Sequence, residues 1–344
     1  MANLRQIAKE SGVSVTTVSR VLNNDETFSV SPNTRNKVLL AAETLGYTNS
    51  KTKGKPKSIR NDQKKYTIGI IQMHSLTLLA DDPYYYQIEA SIESNKSQYT
   101  ISTVNIQHIN NQFFLEDDVP LDGIFAIGVF NKSQITHMKQ LCERIVFLDA
   151  SPDDDVYYSV IPNFQLAVEK VVRYFLQRGH TSIGFIGEEY TLGGHKNRVV
   201  EPRLIYFKSL LTALNLYNPE YVIDASNNVT SGYNQTKHFL EQATSVPTAI
   251  FVASDSAVNG VIRAFVEKGY RIPEDISIIT FNNTILSEHA FIPLTSVAVN
   301  IDQMVITAFK NMIELLESPS FPTKTIIPCY IVERDSVAPN TSDH

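Results

Sequence analysis

Apolar positions in the first 47 residues recur at helical spacing, whereas from Tyr66 onward they gather in short runs between longer amphipathic stretches. Leu4, Ile7, Ala8 and Ser11 lie at i, i+3, i+4 and i+7, one face of a helix, with Asn3 as its cap and Gln6 completing a capping-box pattern. Gly12 permits a turn with positive φ, Ser14 caps a second helix, and Val18, Val21 and Leu22 face inward from it. Ala8, Gly12 and Val18 together have the spacing of a helix-turn-helix: a small residue at the helix contact, a glycine in the turn and a branched anchor. Ser31-Pro32 opens a third helix with the apolar stripe Val38, Ala41, Ala42 and Leu45, and Gly46 ends it.

Beyond Tyr66 the run YTIGIIQM suits a buried parallel strand. Helices are expected near 84–97, 134–143, 165–178, 202–214, 231–242, 257–268 and 301–317, with strand-like ISTVNI, GIFAIGV, RIVFLDA, SIGFIG, AIFVAS and ISIITF between them. This alternation implies right-handed βαβ units and parallel sheets covered on both faces, and it is too long for one common sheet. The expected fold is therefore an α-helical helix-turn-helix head followed by an α/β core of two Rossmann-like subdomains. The head is expected over 1–47, a linker over 48–65 and the core over 66–344. Within the core, an N-subdomain is expected at about 66–161 plus 294–318 and a C-subdomain at about 162–293 plus 319–344.

Charge sharpens this division. The net charge of −6 over 344 residues hides a basic head: residues 1–65 hold 12 Lys/Arg against 5 Asp/Glu, and the remainder 18 against 31. A basic module on an acidic body is the electrostatic footprint of nucleic-acid binding. The linker carries Lys51, Lys53, Lys55 and Lys57, with Gly54 and Pro56 opposing a helix; a solvated tether and a flexible phosphate-binding segment both fit it. The apolar fraction of 43% supplies sizeable cores, so the chain is globular. Two distant cysteines, Cys142 and Cys329, fit a reducing compartment. With no signal-peptide pattern and no apolar run of ~20 residues, a cytoplasmic protein with no membrane partner is expected. Tryptophan is absent, so any ring stacking falls to Tyr and Phe.

Val15, Thr16, Thr17, Ser19, Arg20 and Asn23 remain on the outer side of the second helix, and such short or forked groups suit the major groove. Ser31, Thr34 and Arg35 at the start of the third helix can hold phosphates. Leu4 and Ser14, at the starts of the first two helices, complete the expected DNA-contacting set. In the core no nucleophile, cofactor or metal motif occurs, so no enzyme, cofactor or metal site is expected. Polar residues instead recur where strands should end: Asp82, Tyr84 and Tyr85, then Asp149, Ser254-Asp255 and Asn282-Asn283, with Arg203 opening a helix. Each alone is a common helix cap; together they can line one crevice suited to a sugar, with forked polar partners for hydroxyls and rings for its C–H face.

The stretches LRQIAKESGVSVTTVSRVLN, SPNTRNKVLLAAETLGY, GHTSIGFIG, EPRLIYF, FVASD and GYRIPEDISIITFNN, in this order over nearly the whole chain, resemble the LacI/GalR family of bacterial transcription regulators. DPYYYQIEASIE and LDGIFAIG look most like its galactose-operon and evolved-β-galactosidase repressor branch. The resemblance implies a core like that of periplasmic binding proteins, a homodimer on a palindromic double-stranded operator, and a small sugar effector between the subdomains. It implies effector contacts at Arg203, Asp255 and Asn282, and more loosely at Asp82, Tyr84, Tyr85 and Asp149. The chain departs from the family pattern twice. Lys53 and Pro56 stand where an Ala-x-x-Leu hinge helix is usual, leaving Ile59 as the one apolar candidate for a minor-groove wedge, and Asn282 replaces a frequent aspartate. The expected function is a transcriptional repressor controlled by galactose or a galactoside. Control by a phosphoprotein co-repressor and service as a sugar-binding transport receptor are the alternatives. The tail VAPNTSDH has no leucine heptad, which favours a dimer over a tail-built tetramer.

Overall fold

In the computed structural model the first two helices span Leu4–Ser11 and Val15–Leu22. Ile7, Ala8, Val18 and Val21 are buried with Val38, Ala41 and Ala42, and Leu4, Val13, Leu22, Val30 and Leu45 pack around them. Gly12 has φ +67, and Val13 N–H donates to Ala8 O at 3.1 Å, closing the turn. The Ser14 hydroxyl accepts from Thr17 N at 3.1 Å, and Ser31 caps Thr34 N at the same distance. The small core thus uses the residues that helical spacing picks out. The structure describes residues 4–22, 30–31, 34, 37–38, 41–42, 45, 65–73, 82–109, 112–115, 119–191, 199–318 and 320–340. Expectations for Asn3, Asn23, Arg35, Gly46 and the linker from 48 to 64, Ile59 included, lie outside them. By contacts the chain divides into Met1–Gln63 and Lys64–His344.

Among the described residues the second unit holds two six-stranded sheets. The first runs Lys324–Ile327, Tyr158–Pro162, Ile145–Leu148, Gly123–Ile127, Tyr66–Gln72 and Ile101–Asn105, all parallel. The second runs Val222–Asp224, Ile183–Gly187, Ala249–Val252, Ser277–Asn282, Thr295–Ala298 and Tyr330–Val332, with only the last strand antiparallel. The central strands are buried throughout, which is why they read as unbroken apolar runs. Helices Pro83–Asn95, Lys132–Leu141, Phe164–Gln177, Pro202–Ala213, Val229–Gln242, Asp255–Glu267 and Ile301–Glu317 lie within a few residues of their expected places.

Strand pairing moves the expected subdomain boundaries. Thr295–Ala298 pairs with Ser277–Asn282 in the second sheet, not the first, and Lys324–Ile327 pairs with Tyr158–Pro162 in the first sheet, not the second. The chain therefore passes between the sheets three times, at Asn163, at Val299-Asn300 and at Pro328-Cys329. Asn163 caps the helix after the first passage, accepting from Leu166 N at 2.9 Å, and Asn300 caps the helix after the second. Asn163 N–H also donates to Ile327 O at 2.8 Å, tying the first passage to the third.

Helices Val229–Gln242 and Asp255–Glu267 meet through glycine. A Cβ on Gly260 would sit 2.0 Å from Val229 O, and one on Gly232 would sit 2.4 Å from Ala257 O. Neither neighbour can yield, because both are helix backbone. Gly260→Ala is therefore expected to destabilise the protein by ~1–3 kcal/mol through overpacking, read as a lower urea midpoint in equilibrium unfolding. An unchanged midpoint would show that the helices separate at no cost.

Candidate functional site

A cavity of about 900 Å³ lies in the second unit and takes its walls from both sheets. From the first sheet come Asp82, Tyr84, Tyr85 and Asp149; from the second come Glu188, Glu201, Arg203, Phe281 and Asn282; Asn163 and Phe164 come from the first passage between them. Ligands of such sheets bind beyond the carboxyl ends of the strands, and most of these residues lie there or at the helix that follows.

On the first side Asp82 caps helix Pro83–Asn95, accepting from Tyr84 N at 3.2 Å. That places Tyr84 and Tyr85 so that both hydroxyls donate to Asp149, at 2.8 and 3.2 Å on separate carboxylate oxygens. The two rings meet edge to face at 5.2 Å. Asp149 ends its strand with φ +66 and Asn282 ends another with φ +98. This left-handed backbone costs energy that Asp and Asn bear better than most side chains. Burial pushes the Asp149 carboxyl up to about 6 against the pull of Tyr84, Arg203 and Tyr85, and burial also raises Asp82 and Glu188.

On the second side Pro202 sits at the first turn of its helix and Glu201 caps it. The Glu201 carboxylate accepts from Arg203 Nε at 2.5 Å and from Arg203 Nη2 at 3.0 Å, a forked pair. Arg203 Nη1 donates to Ala253 O at 2.5 Å, and the guanidinium lies 4.7 Å from the Phe281 ring centroid. Burial opposes its charge most strongly, but Glu201, with Asp149 and Tyr85 behind it, holds its pKa above the usual value. The Oδ1 of Asn227, a further lining residue, is buried and has no hydrogen-bond partner among the described residues, so it can accept one from a ligand.

The structure thus brings together Asp82, Tyr84, Tyr85, Asp149, Arg203 and Asn282, but it turns Asp255 away. Asp255 is 1% exposed and does not line the cavity. Its oxygens accept from Thr280 Oγ1 at 2.8 Å and Thr284 N at 2.6 Å, bracing the start of its helix against the next strand. The expected convergence of Arg203 and Asp255 is therefore corrected: the partner of Arg203 is Glu201. Spacing did not single out Glu201, Glu188, Asn227, Phe164 or Phe281. Glu188 directly follows a strand, so the strand-end rule reaches it; the fold of Glu201 back onto Arg203 has no periodic signal. In the head, Ser14, Val15, Thr16 and Arg20 are exposed, and Leu4, Thr17 and Ser19 are half-buried. Ser31 is exposed, and its hydroxyl meets Thr34 Oγ1 at 2.8 Å.

Residues 3–50 match the family described as bacterial regulatory proteins, lacI family, and residues 172–337 match a periplasmic binding protein-like domain. An HTH-type transcriptional regulator GalR from Streptococcus thermophilus is 34% identical over 98% of this chain and 99% of its own length. The chain belongs to the lacI family. It is thereby a DNA-binding transcriptional regulator. The HTH-type transcriptional repressor MelR of Bacillus subtilis (strain 168) is 31% identical over 98% of this chain and 97% of its own length. Among solved structures, a transcriptional regulator CelR–cellobiose complex shares the fold at TM-score 0.66 and 20% identity, covering 98% of this chain and 100% of its own. The lac repressor dimer bound to operator and the anti-inducer ONPF does so at TM-score 0.63 and 22% identity, covering 98% and 99%. No described helix is long and apolar enough to cross a membrane.

Asp255 gives this lacI-family core a testable pH dependence. Burial raises its carboxyl from 3.8 to about 6, against hydrogen bonds from Thr284 and Thr280. A folded-state pKa above the unfolded value favours folding when the group is protonated. Its contribution is therefore full below about 3.8 and is lost as pH rises through about 6. Asp255→Asn should still accept from Thr284 N through its amide oxygen and donate to Thr280 Oγ1 through its NH2, and should flatten the fall in stability between these limits. Urea unfolding at several pH values measures this; a slope like that of the wild type would remove Asp255 as its source.

Proposed function

We propose that this regulator is a cytoplasmic, homodimeric repressor of a palindromic operator, and that a small neutral galactosyl sugar in the cavity releases it from DNA. The observation that carries the sugar assignment is the pairing of Tyr84, Tyr85 and Asp149 on one wall with Arg203 and Asn282 on the other. Asp149 offers acceptor oxygens, Arg203 a fixed fork of donors, and Asn282 one of each. The partly exposed rings of Tyr85 and Phe164, both in the cavity wall, supply the apolar surface that a pyranose face needs. Among the described residues four carboxylates line the cavity, Asp82, Asp149, Glu188 and Glu201, against Lys132, Arg203 and Lys324. That balance disfavours a phosphorylated sugar. The cellobiose held by a protein of the same fold supports the ligand class.

Operator release requires the sugar to favour the state that binds DNA poorly, since equal affinity for both states shifts nothing. Arg203→Ala and Asp149→Ala should each weaken galactoside binding by ~1.5–3 kcal/mol, the range for hydrogen bonds to charged groups, whereas Asp255→Asn should leave it unchanged. Titration calorimetry on variants shown by thermal unfolding to be folded, run beside operator binding with and without sugar, decides this. Wild-type affinity in both alanine variants would remove the site. Unchanged or tighter operator binding at saturating sugar would remove the release mechanism.

In the head, Val15, Thr16 and Arg20 are the exposed base-reading candidates, and Ser14, Ser31 and Thr34 sit at helix starts that suit phosphate contacts. Arg20→Ala should cost ~1–3 kcal/mol on the operator with little loss on random DNA. Neutralising Lys51 to Lys57 should weaken both and flatten the salt dependence. Equal losses on the two DNAs for Arg20→Ala would reduce Arg20 to a phosphate contact.

A further inference from the structure

The third passage changes sheet within a very short stretch. Ile327 still pairs with Pro162 in the first sheet, and Tyr330 already pairs with Ala298 in the second. Pro328 and Cys329 lie between and belong to neither ladder. Pro328 has no N–H to offer. Cys329 is buried, so its main-chain carbonyl needs a donor from the protein. That donor is a side chain: Lys170 Nζ donates to Cys329 O at 2.6 Å. Lys170 is half-buried on helix Phe164–Gln177, the helix that Asn163 caps, which packs on Pro202–Ala213 and Tyr330–Val332 of the second half. Among the described residues Lys170 makes no ion pair, so its ammonium is given to this one carbonyl. Lysine is also among the side chains that lose most rotamer freedom on being fixed.

The same helix begins with the other tie, Asn163 N–H to Ile327 O. One helix and its cap thus grip the third passage at two carbonyls, one on each side of Pro328. The ties differ in kind. Asn163 N–H is a fixed main-chain donor, whereas an ammonium carries three donors on a flexible four-carbon stem and can keep hold of a carbonyl that moves. We infer that Lys170 is a positioning residue of the hinge: it binds the third passage to the helix that follows the first, so that both passages bend as one and the movement that frees the operator runs through them together. This deepens the release mechanism proposed above and rests on it. Without the tie, the link at Pro328 and Cys329 flexes independently of Asn163 and absorbs part of any movement of the halves.

The test compares the full-length wild type with Lys170→Met, which keeps the reach of the side chain but cannot donate, and with Lys170→Arg, which can. Hydrogen exchange resolved to single amides is the first measurement. The Asn163 amide should exchange about tenfold faster in Lys170→Met and at the wild-type rate in Lys170→Arg, with the amides of strand Ala249–Val252 unchanged in both. Operator binding with and without saturating galactose is the second. The factor by which galactose weakens it should fall about threefold to tenfold in Lys170→Met and recover in Lys170→Arg. An unchanged Asn163 amide in Lys170→Met would overturn the inference. So would faster exchange that spreads to Ala249–Val252 or that arginine does not restore, since either marks a loss of packing. An unchanged release factor in Lys170→Met would also overturn it. A wild type that galactose does not release removes the release reading instead, and the hinge role then stands or falls on the Asn163 amide.

Discussion

A guanidinium taken out of water must be neutralised where it sits, and the rest of this cleft is arranged around that requirement for Arg203. Glu201 provides the counter-charge from two residues away, Ala253 O holds the third guanidinium nitrogen, and Phe281 covers the flat face. Each partner comes from the second sheet or its helices, so the fork is fixed before any ligand arrives. The first sheet answers with Asp149, held between two tyrosine hydroxyls. Each charged group is thus oriented from within its own half, and a ligand of the kind proposed would supply the connection between them. A site built in this way needs no rearrangement of its polar groups on binding, which lowers the cost of ordering them.

Much of this was legible in the sequence because burial and spacing are coupled. The head is governed by a few residues, Ile7, Ala8, Gly12, Val18 and Val21, whose intervals allow one arrangement. Central strands announce themselves because both their faces are covered. Strands such as Val222–Asp224, Lys324–Ile327 and Tyr330–Val332 escape because they are short and lie at sheet edges or next to them. The misplaced subdomain boundaries have the same origin: only pairing across the sheet shows which side Thr295–Ala298 belongs to.

The site residues divide similarly. Asp149, Asn282 and the tyrosines end or follow strands, and the architecture alone carries such positions to the cleft. Asp255 also follows a strand, yet its carboxylate turns inward to Thr280 and Thr284, 25 and 29 residues away. Whether a polar side chain at a helix start faces a cavity or braces a neighbouring strand depends on partners distant in sequence. No local pattern encodes that choice.

The three passages between the sheets have a mechanical meaning. Two are tied by the Asn163 to Ile327 hydrogen bond, and Asn163 itself lines the cavity. The floor of the cleft is therefore also its pivot. Relative motion of the halves must bend about that line, so atoms near Asn163 travel little while those at the far ends of each sheet travel much further. Contacts made close to a fulcrum act on the long arm of a lever, and a fraction of an ångström gained there becomes a displacement several times larger at the ends.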